Sequence, residues 1–221
     1  MSKTAQKTRI VLVDDHPMVR ERLAEVINNE VDMMVCGEAE DRGSALEVIA
    51  LEKPGLAIVD LTLKRSNGLD LIKDLQVMHP DLRVLVLSMQ EETLYAERVI
   101  RAGAHGYITK QEATRSILNA IREVLAGKVF LSPEISAEIL SRMLGKSKAA
   151  VRSLEVLSDR ELQVFELVGQ GYTTRQIAEQ LSLDVKTVET YRSRIKEKLE
   201  IRDASELLRK AIAWKHAHPN E

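Results

Sequence analysis

Between residues 9 and 127, short apolar runs alternate five times with longer segments whose apolar residues recur at helical spacing. A continuous apolar run of strand length is typical of a strand that is buried on both faces of a sheet. Regular alternation of such strands with amphipathic helices predicts a parallel sheet covered by helices on both sides. We therefore expect this half of the chain to form a doubly wound α/β domain with five parallel strands.

Polar residues stand at the carboxyl ends of four of the five predicted strands. They are, in chain order, Asp14 and Asp15, Asp60, Ser88 and Lys110. The carboxyl ends of parallel strands share one edge of the sheet, and ligands bind in the crevice at that edge. Taken singly, each of these residues has a simpler explanation: the aspartates could cap a helix or end a strand, Ser88 could end its strand, and Lys110 could be a solvated side chain. Their coincidence at matching strand ends favours one shared site.

The residue types in this set suit phosphoryl transfer to the protein itself. Crowded carboxylates repel one another, and a bound Mg²⁺ relieves the repulsion because it prefers hard oxygen ligands. We assign Asp60 as the nucleophile that forms an acyl phosphate, with Asp14 and Asp15 as metal ligands. Lys110 then offers a positive charge, and Ser88 a hydrogen bond, to the phosphoryl oxygens. With no further residue in place as a general base, the set favours a phosphorylated protein over an enzyme.

The run from Val11 to Pro17, which reads VLVDDHP, resembles the opening of a CheY-like receiver domain of the NarL/FixJ response-regulator type. The resemblance covers residues 9 to about 127. It implies that Asp60 takes its phosphoryl group from a sensor histidine kinase, in the presence of bound Mg²⁺.

The same resemblance gives roles to three further residues. It makes the backbone carbonyl of Thr62 a metal ligand, and it makes Ser88 and Tyr107 a coupled switch pair. In such a pair the hydroxyl moves toward the phosphate and the aromatic ring turns inward. From the residues alone, Tyr107 is also explained as an ordinary core or edge-strand aromatic. The chain departs from the receiver pattern at Leu63-Lys64, where Met-Pro is usual, and at Gln111, where proline is usual.

A connector separates this half from a second domain. We predict a receiver over residues 1–129, a linker over 130–151 and a helical domain over 152–221. The linker contains a short predicted helix over about 133–144, followed by the turn-forming run Gly145 to Lys148.

The second domain carries clear helix-start signals. Ser158 with Glu161, and Thr173 with Gln176, both have the spacing of a capping box. Apolar spacing predicts four helices, over about 159–169, 174–181, 185–199 and 204–215. The second and third are joined by only three residues, which is typical of a helix-turn-helix.

The third of these helices is basic, with five Lys or Arg against two Glu, although residues 152–221 are neutral overall. From charge alone, a DNA recognition helix and a solvated face of an ordinary bundle are both open. Residues 157 to 214 resemble the LuxR-type helix-turn-helix, notably in Gly171 to Ala178 and Val185 to Val188. This resemblance implies phosphate contacts from Lys186, Thr187, Arg192, Arg194 and Lys198, and base contacts from Glu189, Thr190 and Ser193.

The overall expectation is a two-component transcription regulator in which phosphorylation of Asp60 favours a homodimer on paired DNA half-sites. The last predicted helix is either the dimerisation helix of the LuxR pattern or simple core cover. A polar start, short apolar runs and one cysteine predict a soluble, cytoplasmic protein without membrane contact. Two alternatives stay open: a phosphotransfer or docking module with a protein-binding bundle, and a metal-dependent phosphatase.

Overall fold

The computed structural model describes residues 7–64, 66–89, 92–143, 154 and 156–217. They belong to two compact units, Met1–Leu140 and Ser141–Glu221. The division falls inside the predicted linker, whose own bounds stay a prediction. The turn predicted at 145–148 lies outside the described residues.

The first unit contains a five-stranded parallel sheet, which confirms the predicted fold class. The strands are β1 (Thr8–Val13), β2 (Met33–Ala39), β3 (Leu56–Val59), β4 (Thr62–Leu63), β5 (Ser66–Asn67), β6 (Arg83–Ser88) and β7 (Gly106–Thr109). The strand order in the sheet is β2-β1-β3-β6-β7, and β4 and β5 form a separate small hairpin. The helices are α1 (Pro17–Asn28), α2 (Arg42–Glu52), α3 (Gly68–Met78), α4 (Glu92–Arg101), α5 (Lys110–Leu125) and α6 (Pro133–Met143).

The core of this unit is aliphatic and lies on both faces of the sheet. On one face, Leu12 and Ile58 from the sheet pack with Ile27 of α1 and Ile121 of α5. All four residues of β3 are buried, as the continuous apolar run predicted. This packing holds the central strand, and with it the residue that follows, in a fixed position.

The β4–β5 hairpin was not predicted from the sequence. It brings the chain back on itself, so that the Gly68 backbone N–H donates a hydrogen bond to the Leu61 carbonyl over 2.9 Å. A Cβ atom at Gly68 would lie 2.0 Å from the carbonyl oxygen of Asp60. Only a residue without a side chain fits here, because the neighbouring atoms belong to backbone.

The segment after α5 runs along the outer edge of β7. The Tyr107 N–H donates to the Phe130 carbonyl over 2.8 Å, and the Phe130 N–H donates to the His105 carbonyl over 3.1 Å. These bonds cover an edge that would otherwise offer unpaired backbone groups to another strand.

His105 is expected to make the first unit lose stability as the pH falls below about 6.5. Its half-buried Nδ1 accepts a hydrogen bond from the Val84 N–H over 3.2 Å. Burial, together with the nearby charge of Arg83, lowers the pKa of His105 below its ordinary value. The unfolded chain then binds more protons than the folded one, so stability falls as the pH drops toward the folded-state pKa.

Urea unfolding of the wild type and His105→Asn at several pH values measures this effect. The stability advantage of the wild type should shrink as the pH falls from about 7 to about 5. An advantage that is constant over this range would show that the imidazole does not titrate on unfolding.

The second unit is helical, with α7 (Asp159–Gly169), α8 (Thr174–Leu181), α9 (Val185–Lys198) and α10 (Ala204–Ala217). Both predicted capping boxes are present, at Ser158 and at Thr173. The turn between α8 and α9 contains Ser182 in the left-handed region, with φ 52°. Buried apolar residues from three helices meet in its core, among them Phe165, Ile177 and Val188. The helix-turn-helix predicted from the sequence is thereby confirmed.

Across the described ranges, no helix is both long and apolar enough to cross a lipid bilayer.

Candidate functional site

Two neighbouring strands deliver Asp14 and Asp60 to the same edge of the sheet. Val13 pairs with Val59, and the Asp60 N–H donates to the Val13 carbonyl over 2.8 Å. Each aspartate is therefore the residue directly after its paired strand. Both are only 3% exposed, so two carboxylates share a site that is largely closed to solvent.

Lys110 lies between these carboxylates. The sequence placed it at the end of a strand, but it is the first residue of α5, whose N-cap is Thr109 in a capping box with Glu112. The Lys110 Nζ donates to Asp60 Oδ2 over 2.8 Å and lies 2.6 Å from Asp14 Oδ2. Only the contact with Asp60 has hydrogen-bond geometry. The T-x-x-E spacing of the capping box that positions this lysine is visible in the sequence.

Burial and the neighbouring charges shift the pKa values of Asp60 and Lys110. Burial raises the pKa of the Asp60 carboxyl, and Asp14 adds to the rise while Lys110 opposes it. Burial alone would lower the pKa of Lys110, but the two carboxylates that lie against its ammonium raise it above its ordinary value. One ammonium group thus faces two buried carboxyls, so a further cation would be needed to balance their negative charge when both are ionised.

The donor atoms present suit a divalent cation. Asp14, Asp15, His16 and Asp60 each offer one ligand atom, and these atoms all lie within 4.8 Å of one another. Among the described residues, Asp14 Oδ2 and Asp15 Oδ1 make no hydrogen bond of regular geometry, although the Lys110 ammonium lies 2.6 Å from the first and His16 Nδ1 lies 2.7 Å from the second. Buried carboxylate oxygens of this kind are costly unless a cation or its bound water satisfies them.

The remaining predicted residues border this edge. Ser88 is fully buried at the end of β6 and pairs with Thr109, and Tyr107 is fully buried in β7. The Thr62 N–H donates to Asp60 Oδ1 over 3.3 Å, which ties the backbone after Asp60 to its side chain. The switch roles of Ser88 and Tyr107, and the metal contact of the Thr62 carbonyl, stay predictions.

The second candidate site is the outer face of α9. Most of the predicted DNA contacts on it are exposed, namely Lys186, Glu189, Thr190, Ser193 and Arg194. Thr187 and Arg192 are half-buried, and Arg192 Nη1 donates to Thr174 Oγ1 over 3.3 Å. Val188 and Ile195 are buried on the opposite side of the helix. An exposed, polar and basic face following a tight turn fits the major groove of DNA.

Lys198 differs from the other predicted DNA contacts. Its Nζ donates to Glu161 Oε2 over 2.7 Å, and the Glu161 side chain is only 3% exposed. The charge count on α9 could not show this, because the partner lies on another helix. A phosphate contact by Lys198 stays a prediction, and it would compete with this internal ion pair.

Comparison with known families agrees with both sites. The model of the response regulator receiver domain matches residues 10–122, which is just over half of the chain. The model described as bacterial regulatory proteins, luxR family, matches residues 155–211. The chain belongs to the NarL/FixJ family of response regulators. It combines a receiver domain with a LuxR-type DNA-binding domain, as transcriptional response regulators do.

Relatives of this NarL/FixJ regulator match along nearly its whole length. The oxygen regulatory protein NreC of Staphylococcus carnosus is 30% identical over 212 residues, covering 94% of this chain and 98% of that protein. A putative transcriptional regulator of Pseudomonas aeruginosa is 37% identical over 202 residues, covering 91% of this chain and 95% of that protein. These relatives are named as regulators rather than enzymes.

Solved structures support the same assignment. A LuxR-family two-component response regulator from Aurantimonas sp. is 32% identical with a TM-score of 0.58, covering 63% of this chain and 99% of that one. RcsB of Salmonella enterica, solved bound to a promoter, has a TM-score of 0.66 and covers 94% of this chain and all of its own. At 23% identity, the RcsB likeness supports the fold alone.

In this NarL/FixJ regulator, Lys198→Met is expected to lower the stability of the helical unit by about 1–2 kcal/mol. Glu161 also accepts from the Ser158 N–H over 2.7 Å. Burial would raise the pKa of Glu161, but the bonds from Lys198 and Ser158 hold it below its ordinary value. Removing the ammonium leaves a buried carboxylate with one partner fewer, and half-exposure of Lys198 limits the loss.

Lys186→Met provides the matched control, because Lys186 is exposed in the first turn of the same helix. Urea unfolding should show a change within about 0.5 kcal/mol for this variant. Equal losses of stability in both variants would contradict a structural role for the Lys198–Glu161 pair.

Proposed function

We propose that this response regulator accepts a phosphoryl group on Asp60 from a sensor histidine kinase, in the presence of Mg²⁺, and thereby controls its dimerisation and its binding to DNA. The observation that carries the proposal is the closed carboxylate edge itself. Asp60 lies there with one oxygen on Lys110, whose ammonium also lies 2.6 Å from Asp14, so one positive charge faces two buried carboxyls, with Asp15 beside them.

The transfer step needs a nucleophile and neutralised phosphoryl oxygens. An Asp60 oxygen attacks the phosphorus atom, while the bond from phosphorus to the donor's histidine nitrogen breaks and its electron pair returns to that nitrogen. Lys110 can leave the carboxylate oxygen for a phosphoryl oxygen, since its flexible ammonium already lies at the site. Ser88 offers a hydroxyl hydrogen bond to another phosphoryl oxygen.

Mg²⁺ fits the residues that are present. Asp14, Asp15 and Asp60, with the carbonyl of Thr62, would hold it. When bound, it supplies positive charge to the phosphoryl oxygens during transfer and relieves the repulsion among the carboxylates.

An apolar cleft next to Lys110 supports docking of the kinase at this edge. It has a volume of about 450 Å³ and lies between α1 and α5, where its lining includes Val19, Leu23 and Ile117. Met18 at its rim is 82% exposed. An exposed apolar side chain beside an apolar cleft is typical of a protein-binding surface.

DNA is the second partner, and α9 is the element that contacts it. RcsB, which shares the fold, has been solved on promoter DNA. We assign phosphate contacts to Lys186, Thr187, Arg192, Arg194 and Lys198 and base contacts to Glu189, Thr190 and Ser193. A homodimer places two such helices on paired half-sites. Partnership with DNA also assigns the protein to the cytoplasm.

The test measures phosphorylation, oligomeric state and DNA binding in the same samples. Wild type, Asp60→Ala and the exposed-carboxylate control Asp81→Asn are incubated with Mg²⁺ and acetyl phosphate. Wild type and Asp81→Asn should gain one phosphoryl adduct, shift toward dimer and bind duplex DNA more tightly, with an affinity that falls steeply with salt. Asp60→Ala should do none of these.

Two results would count against the proposal. Adduct formation without any change in dimerisation or duplex binding would favour a phosphotransfer or docking module. Failure to form an adduct with both acetyl phosphate and a histidine kinase would remove the phosphoacceptor role of Asp60.

A further inference from the structure

His16 is placed against the carboxylates of the phosphoacceptor site. It is the residue directly before α1, and its side chain makes no capping hydrogen bond to this helix. Its backbone N–H donates to Asp14 Oδ1 over 2.9 Å, which holds the residue over the site. The ring Nδ1 lies 2.7 Å from Asp15 Oδ1 and 3.3 Å from Asp14 Oδ1.

The contacts of Nδ1 match the spacing of neighbouring ligands around one metal ion. Adjacent ligands of an octahedral ion with bonds of about 2.1 Å lie about 3 Å apart, and opposite ligands lie about 4.2 Å apart. The Nδ1 contacts of 2.7 and 3.3 Å bracket the first value, and the four ligand atoms, which lie within 4.8 Å of one another, need only a small inward movement to meet the second. The contact with Asp15 Oδ1 lacks hydrogen-bond geometry, and that oxygen has no other partner. A shared cation satisfies both atoms.

The imidazole is accessible to an ion from solvent, because the His16 side chain is 64% exposed. A bound metal would replace the hydrogen bond between Nδ1 and Asp14 Oδ1. Asp15 beside it is about one-quarter exposed, which leaves a path for an ion from solvent. The site therefore offers one nitrogen donor together with three carboxylates.

We propose that His16 is a fourth side-chain ligand of this metal site and gives it affinity for divalent transition metals such as Ni²⁺ and Zn²⁺. The inference rests on the proposed function in that the same carboxylates hold Mg²⁺. Imidazole nitrogen binds borderline metals well and adds little for Mg²⁺, which prefers oxygen and retains water. Such a metal competes with Mg²⁺ for the same carboxylates.

Calorimetric titration of the full-length protein with Ni²⁺ and with Mg²⁺ tests the assignment. The variants are His16→Asn and Asp15→Asn. Asparagine is a favoured residue at the position before a helix, so His16→Asn keeps the fold. His16→Asn should weaken Ni²⁺ binding by about tenfold or more and change Mg²⁺ binding by less than about twofold. Asp15→Asn should weaken both.

The sequence contains other histidines, among them His216 and His218, and binding there responds to neither substitution. Unchanged Ni²⁺ affinity in His16→Asn would overturn the proposal. Equal weakening of Ni²⁺ and Mg²⁺ would also overturn it, because His16 would then only orient Asp15.

Acetyl phosphate labelling separates this inference from the proposed function. Wild type that takes up no phosphoryl group in Mg²⁺ would contradict the proposed function. The Ni²⁺ titrations would still decide whether His16 is a ligand.

Discussion

Replacing Asp60 with asparagine is expected to abolish phosphoryl uptake and to raise the stability of the receiver by about 1–2 kcal/mol at neutral pH. Uptake is lost because the amide is no nucleophile. Stability rises because the folded state disfavours the ionised carboxyl, as its raised pKa shows. Lys110 keeps Asp14 as its ion partner, so the substitution leaves no unpaired ammonium.

The raised pKa of Asp60 also predicts how the stability of the receiver depends on pH. A carboxyl whose pKa is raised on folding makes the folded state bind more protons, so stability falls as the pH rises from the ordinary value to the raised one. Urea unfolding between about pH 4 and 8 should therefore show the stability advantage of Asp60→Asn over wild type growing as the pH rises. A variant that is less stable than wild type at pH 7 would mean that the Asp60–Lys110 bond outweighs burial.

Gly68→Ala is expected to destabilise the receiver by about 3 kcal/mol and to lower phosphoryl uptake with it. The added Cβ would lie 2.0 Å from the Asp60 carbonyl oxygen and 2.7 Å from the Leu61 Cα. These are backbone atoms, so they cannot swing aside as a flexible side chain would. The clash can be relieved only if the backbone segment that positions Asp60 moves.

Gly43→Ala is the matched control for this substitution. Gly43 lies in the first turn of α2, where the nearest atom to an added Cβ is an Asp41 oxygen at 3.5 Å. Alanine there should be neutral or stabilising by up to about 1 kcal/mol. Urea unfolding and acetyl phosphate labelling of both variants measure the two effects. Equal behaviour of the two alanine variants would contradict the close approach at Gly68.

The elements of both domains were predictable because their signals are local. Apolar runs marked β1, β3 and β6, and capping boxes marked the starts of α7 and α8. The meeting of Asp14 and Asp60 was predictable for a different reason, since carboxyl ends of parallel strands share an edge.

Features that depend on distant contacts were not predictable in this way. The β4–β5 hairpin pairs strands of two residues each, which is too short for any periodic pattern. Position 68 requires glycine because the β4–β5 hairpin brings this residue back against the backbone of Asp60. The pairing of Lys198 with Glu161 joins residues 37 apart, so it followed from packing and not from the charge of α9.

The most direct test of the account locates the phosphoryl group on the chain. Protein labelled with acetyl phosphate and Mg²⁺ is reduced with borohydride, which converts an aspartyl phosphate to homoserine, and the peptides are then sequenced by mass spectrometry. Homoserine at position 60, and at no other aspartate, is the predicted result. Label at Asp14 or Asp15, or label that persists in Asp60→Asn, would contradict the assignment of Asp60 as the acceptor.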